Sequence, residues 1–154
     1  MGSKPSAGMH KGIGKAPPLI QYGALCYRID DRKPQILLVT SRGTGRWVVP
    51  KGWPMEQLGG AGTAAREAWE EAGVVGTFQP RCLGQFVYTK MRASKGDVPI
   101  MVQVYPVLVR RLAREFPESG QRRRKWFSPN KASMRVDEPE LSRILRSFHP
   151  RVLH

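Results

Sequence analysis

The chain has 154 residues, a length that suits one folded unit, and its composition, 40% hydrophobic and 25% charged, is that of a globular protein rather than a disordered or collagen-like chain. Its 26 Lys and Arg against 12 Asp and Glu give a net charge of +14, which points to anionic partners: nucleotides, polyphosphorylated small molecules, nucleic acid or anionic lipid. Two cysteines and three histidines (His10, His149 and His154, all near the termini) argue against a disulfide framework, a four-ligand zinc site and a buried Ser-His-Asp triad.

Residues 1–18 carry four glycines, three prolines, three lysines and no acid, and read as a flexible basic tail ahead of a domain over 19–154. No apolar run approaches the roughly 18–20 residues of a bilayer span, and the N-terminus lacks the apolar core of a secretory signal, so a cytoplasmic setting without membrane attachment is expected. Alternation predicts a strand over Gln21–Ile29, followed by a turn at Asp30–Pro34 and a buried strand over Ile36–Thr40. A loop follows at Ser41–Arg46, then a short strand over Trp47–Val49 stopped by Pro50. Gly52–Gly62 reads as a glycine-rich loop, and Thr63–Ala72 as a helix closed by Gly73. Further strands are predicted over Val74–Phe78, Cys82–Met91 and Ile100–Val109, with a hairpin loop at Ala93–Pro99 and a basic loop over Arg110–Lys125. Order resumes at Trp126-Phe127, and Ser128-Pro129 starts a short helix. A last helix, capped by Asp137 with Glu140 three residues on, puts Leu141, Ile144, Leu145 and Phe148 on a core face. This is an α+β order, not a regular βαβ series. Cys26 and Cys82 both fall in apolar strands and are expected to be reduced and structural.

On the wheel of the central helix, Ala65, Ala68, Trp69 and Ala72 fall on one side and Glu67, Glu70 and Glu71 opposite them, with Trp69 as the anchor. Glu67 and Glu71 are like charges one turn apart, which costs an isolated helix about 0.2–0.5 kcal/mol. Three of twelve acids lie within five residues of a very basic chain. Clustered carboxylates are a hard-oxygen site for Mg²⁺ or Mn²⁺; the plainer alternative is a solvated acidic face. Gly52, Gly59, Gly60 and Gly62, ahead of the helix, let backbone approach an anion at the helix N-terminus, a weak signal alone.

The stretch Gly52–Val74, GWPMEQLGGAGTAAREAWEEAGV, resembles the Nudix box, Gly-x5-Glu-x7-Arg-Glu-U-x-Glu-Glu-x-Gly-U, where U is a bulky aliphatic residue. Gly52, Arg66, Glu67, Glu70, Glu71, Gly73 and Val74 stand at its spacings; Ala68 is smaller than the pattern asks, and Leu58 replaces the first glutamate, with Glu56 two residues earlier as a substitute. The resemblance implies the Nudix fold from about residue 19 to 150, an α/β/α sandwich with a mixed central sheet, a Nudix helix and a C-terminal helix. It implies hydrolysis of a diphosphate linked to a further group, with Mg²⁺ or Mn²⁺ held by Glu67, Glu70 and Glu71, and Glu70, Glu71 and Arg66 as the catalytic set, Arg66 orienting a box glutamate. The general base stays open between a box glutamate and Glu115, Glu118 or Asp97.

RWVVPKGW before the box, GGAGTAAREAWEEAGVVG within it and RRRKWF after it are similar to the subgroup acting on diphosphoinositol polyphosphates and dinucleoside polyphosphates. The basic excess suits such a substrate, with Arg42, Arg46, Lys51, Lys90, Arg92, Arg122 and Arg124 as phosphate clamps. The loops carrying them are expected to converge on the metal, so that neutralising Arg122–Arg124 raises KM more than it alters kcat. The expected partner is a small polyphosphate bound by a monomer or homodimer. Two rivals remain: a catalytically weak module of the same fold binding RNA or polyphosphate, favoured by Leu58 and the tail, and a less favoured nucleic-acid binder using Arg110–Lys125.

Overall fold

The computed structural model describes residues 18–91 and 96–153; Arg92, Lys95, His10, His154 and residues 1–17 of the predicted tail lie outside the described residues. Strands β1 (Leu19–Asp30) and β2 (Lys33–Thr40) are apolar on both faces. Leu25, Tyr27, Ile36 and Leu38 join one core cluster, while Ala24, Cys26, Leu37 and Val39 join another on the opposite face. A sheet buried on both sides needs helices on both sides, and it has them. Helix α1 (Gly59–Ala72) covers the face of Ala24 and Cys26. Helices α2 (Pro129–Arg135) and α3 (Pro139–Ser147) cover the other, through Ala132, Leu141 and Leu145. The expected α/β/α sandwich is present.

β1 pairs antiparallel with β2 and parallel with β7 (Val98–Leu112), so the sheet is mixed. Its path is β3-β2-β1-β7-β5, with β3 at Trp47–Val48 and β5 at Val74–Phe78. Two strands share one edge of β7: β6 (Gly84–Lys90) lies along its first half and β5 along its second. Two short additions position the site. β4 (Lys51–Gly52) pairs with β1, and β8 (Arg124–Phe127) with β2.

Several expectations change. Helix α1 begins at Gly59, so the three glycines read as loop are its first turn. Gly60 lies against Tyr105, where a Cβ would come within 2.7 Å of the tyrosine oxygen, so this glycine serves close packing on the sheet. The buried stripe of α1 is Ala61, Ala64, Ala68 and Ala72, with Glu71 buried at its flank. Trp69 is not the anchor; it is half-buried and leans on Phe116, with ring centroids 6.5 Å apart. β7 continues through Arg110 and Arg111 because β5 offers a partner edge as far as Val74↔Leu112, and a ladder overrides a basic composition. The residue capping α3 is Glu138, without a side-chain cap bond, because the Asp137 carboxylate is taken by Arg46 Nη1 at 2.8 Å. No helix among the described residues is long and apolar enough to cross a membrane.

Gly73 closes α1 at φ 69°, its N–H bonded back to Ala68 and Trp69 carbonyls, as the sequence predicts. A Cβ there would fall 2.6 Å from the Phe116 ring. An L-residue in this conformation costs about 1–2 kcal/mol, so Gly73→Ala is expected to lower Tm by roughly 2–8 °C in a chain this size. A thermal melt superimposing on wild type would contradict it.

Both cysteines are free, but only Cys26 is buried, and burial pushes its thiol far above the ordinary range. Cys82 is exposed, two residues ahead of β6 rather than in a strand. A thiol reagent is expected to label Cys82 alone in native protein and Cys26 only in denaturant, read by mass spectrometry, and replacing both with alanine should leave the protein folded. Native labelling of Cys26 would contradict the packing.

Candidate active site

The C-terminal end of α1 organises the site. Its last carbonyls accept bonds from the β7–β8 loop: Glu118 N–H donates to Glu70 O at 2.9 Å, Ala113 N–H to Gly73 O at 2.8 Å and Arg124 Nη1 to Ala72 O at 2.6 Å. These anchors satisfy carbonyls that a helix end leaves free and bring Glu118 and Arg122 beside the helix. The Arg122 guanidinium, 10% exposed, reaches Glu71 Oε2 at 3.4 Å and Glu118 Oε1 at 2.9 Å, and donates to Thr40 O at 3.2 Å. On the other side, β4 puts Gly52 under Glu67, so close that a Cβ would collide with the Glu67 carboxylate. This box glycine is fixed by the carboxylate above it.

Glu67, Glu71, Glu118, Arg122, Lys51 and Lys90 line one cleft of about 480 Å³, joined by Gln21, Tyr88, Arg42 and the Trp53–Met55 rim. Burial and the Glu71 and Glu70 charges push the Glu67 carboxyl up to about 8, and it is hydrogen-bonded to Glu71. Glu71 is also raised, by burial, against the pull of Arg122 and Lys51. Lys51 is pushed down by burial, with Glu71 and Glu138 opposing; its ammonium lies 4.8 Å from the centre of the Tyr88 ring.

The predicted site residues divide. Glu67 and Glu71 come together, with Lys51, Lys90 and Arg122 around them. Glu70 does not line the cleft; its carboxylate pairs with Arg66 Nε at 3.3 Å, the box-arginine contact the resemblance implied. Arg46 pairs with Asp137 at 2.8 Å and Glu138 at 3.5 Å, outside the cleft. Arg124 caps α1, so neither arginine is placed as a phosphate clamp. Arg42 lines the cleft while holding Gln121 Oε1 at 2.8 Å. Arg92 lies outside the described residues. Of the off-box acids, Glu118 is in the cleft, and Glu115 and Asp97 are exposed elsewhere. Leu58, 43% exposed, lies with Arg66 and Trp69 in a separate hollow, and Glu56 is exposed and lines neither.

Residue-type reasoning missed Gln21, Tyr88 and Trp53. Gln21 had a signal: it is a polar residue at the entry of an otherwise apolar strand. Trp53 and Tyr88 had none beyond being aromatic. A second hollow of about 400 Å³ lies between Cys82 and α3, but no box residue lines it.

Paired carboxylates on a helix, facing basic side chains across a cleft in an α/β/α sandwich, are groups that could hold a cation and phosphates. The chain belongs to the NUDIX domain family, whose model matches residues 19–149. It is 39% identical over 108 residues to human diphosphoinositol polyphosphate phosphohydrolase 3-beta, covering 67% of this chain and 60% of that protein. The rat diphosphoinositol polyphosphate phosphohydrolase 2 is 36% identical over 107 residues, covering 67% and 54%. The match thus spans less than two thirds of these relatives. Among solved structures, a C. elegans Ap4A hydrolase matches with TM-score 0.61 at 20% identity, covering 90% of this chain and all of that one (100%). The NUDIX domain of Shewanella oneidensis NrtR complexed with ADP ribose matches with TM-score 0.61 at 16% identity, covering 96% and 98%. These structural likenesses carry the fold alone.

Proposed function

We propose that this chain is a divalent-metal-dependent pyrophosphohydrolase cleaving a phosphoanhydride bond in a small polyphosphate. The observation that carries the reading is the gathering of Glu67, Glu71 and Glu118 in one cleft with Lys51, Lys90, Arg42 and Arg122. Among the described residues no three acidic, His or Cys side chains are close enough to hold an ion by themselves. Mg²⁺ is nonetheless commonly held by one or two carboxylates together with water and substrate phosphates, and the hard oxygens of Glu67 and Glu71 fit that demand. Glu70, held at the edge by Arg66, is the third box carboxylate. Bound there, Mg²⁺ or Mn²⁺ would neutralise phosphate charge and orient water.

The chain's own groups have separable tasks. Arg122 holds Glu71 and Glu118 in place. Lys51 and Lys90 meet phosphate oxygens across from the carboxylates, and Glu118 is the off-box acid placed to accept a proton from the attacking water. Leu58 takes nothing from the cleft, which weighs against a binder without hydrolysis.

Among the described residues the cleft is lined by four basic side chains and three acids, so most of the +14 is carried by residues not seen to line it. That suits a short polyphosphate better than a fully phosphorylated inositol ring. Trp53, 44% exposed at the rim, offers a flat apolar face for a nucleobase. The test is Mg²⁺-dependent hydrolysis of diadenosine polyphosphates, capped RNA, a nucleotide sugar and an inositol pyrophosphate. Diadenosine polyphosphates are expected to show the highest kcat/KM, falling in Trp53→Ala. A preference for the inositol pyrophosphate untouched by Trp53→Ala would overturn the substrate choice, and hydrolysis of none would overturn the function.

A further inference from the structure

Gln21 is a buried amide, 4% exposed, at the N-terminal end of β1, and it lines the cleft opposite the α1 carboxylates. Its Oε1 accepts the Tyr88 hydroxyl at 2.9 Å. That leaves the amide N–H pair without a protein acceptor among the described residues, in a residue whose open side is the cleft. The amide nitrogen is not sealed into the core but open to the cleft, where its two N–H groups can meet a ligand or water. Tyr88 has a second task on the same ring, since Lys51 Nζ lies 4.8 Å from its centre. One aromatic side chain therefore holds two cleft donors, one neutral and one charged.

We propose that Gln21 is a substrate-binding residue whose amide N–H groups take an oxygen of a non-reacting phosphate, and that Tyr88 is its positioning residue. This rests on the reading of the cleft as a polyphosphate site. A neutral donor bonds a phosphate oxygen without forming an ion pair with the cleft carboxylates, as another cation there would. The Tyr88 bond fixes which end of the amide faces the phosphate, because a hydroxyl donating to Oε1 turns Nε2 the other way. Tyr88→Phe separates the two tasks: it keeps the ring beneath Lys51 and removes the hydroxyl that orients Gln21.

The test is calorimetric binding of inorganic tripolyphosphate with Mg²⁺, alongside steady-state kinetics on the best substrate, in Gln21→Leu, Gln21→Glu, Tyr88→Phe and the Gln21→Leu/Tyr88→Phe double variant. Losing one hydrogen bond to a charged phosphate oxygen is expected to weaken binding about 10- to 150-fold in Gln21→Leu. Gln21→Glu keeps the acceptor for Tyr88 but opposes phosphate with a negative charge, and is expected to weaken binding more than Gln21→Leu. Tyr88→Phe should weaken binding in the same direction, and the double variant should bind no worse than Gln21→Leu, because both remove one contact. KM should rise while kcat stays within about twofold, since a non-reacting phosphate is held alike in ground and transition states. Wild-type affinity in both Gln21 variants, additive losses in the double variant, or losses that only follow falling Tm would overturn the proposal. Tripolyphosphate binding with this pattern but no hydrolysis of any substrate would sink the hydrolase reading and leave this one. Hydrolysis by wild type with unchanged variants would do the reverse.

Discussion

Glu67→Gln and Glu71→Gln are each expected to lower kcat by about three orders of magnitude, the scale of removing a group that places charge at a reacting phosphate. In Glu67→Gln this loss should come with a gain: the metal-free variant should melt higher than wild type above pH 8. The Glu67 carboxyl stands at about 8 in the folded protein against an ordinary 4.5. Between those values the folded state holds a proton that the unfolded state has released, so wild-type stability falls as pH rises through that window. Glutamine carries no charge and abolishes that part of the slope. Mg²⁺ should restore wild-type stability at the alkaline end by replacing the shared proton. Thermal melts from pH 5 to 9, with chelator or Mg²⁺, read the stability, and initial rates read the activity. A Glu67→Gln variant with wild-type kcat, or one melting lower than wild type at pH 8.5 in chelator, would contradict this account of the pair.

Arg122→Ala is expected to damage stability and activity together. It leaves Glu71, whose side chain is 10% exposed, and Glu118, at 23%, without their cation. Breaking a buried ion pair by removing one partner costs about 3–5 kcal/mol, or roughly 6–20 °C in Tm at this size. With Glu71 unsupported, kcat/KM should fall at least about 100-fold. Arg122→Lys keeps the charge but cannot hold Glu71, Glu118 and the Thr40 carbonyl at once, so rescue should be partial. Its neighbours behave differently. Arg124→Ala frees the Ala72 carbonyl and should lower Tm with little change in KM. Arg123 is exposed over the Trp47 ring, and its loss should change little. The three arginines are thus three structural roles, not one phosphate clamp, and a KM effect from Arg124→Ala matching that from Arg122→Ala would contradict this division.

The legible parts were those where local chemistry and tertiary packing ask for the same residue. The buried strand over Ile36–Thr40, the helix ending at Gly73 and the spacing of Glu67 and Glu71 could be read directly, whereas β1, read as alternating, is buried on both faces from Ala24 to Tyr27. The start of α1 could not be read directly. Glycines ahead of a helix look like loop, and for Gly60 the reason it is glycine lies in Tyr105, 45 residues on in the sheet. The fate of the arginines was hidden for a similar reason. Arg46, Arg122 and Arg124 look alike in sequence, but their partners Asp137, Glu71 and the Ala72 carbonyl lie 91, 51 and 52 positions away. Gln21 was missed because its meaning lies in Tyr88, 67 residues on, which turns a lone strand amide into an aimed donor.

The most direct measurement is a single-turnover cleavage assay on the best diadenosine polyphosphate, comparing wild type and Glu71→Gln in Mg²⁺ and in chelator. The account requires cleavage by wild type with Mg²⁺, none with chelator, recovery when Mg²⁺ is added back, and a loss of about a thousandfold in Glu71→Gln. Cleavage that survives chelation, or that Glu71→Gln performs at the wild-type rate, would show that the chemistry lies somewhere other than the Glu67–Glu71 cleft.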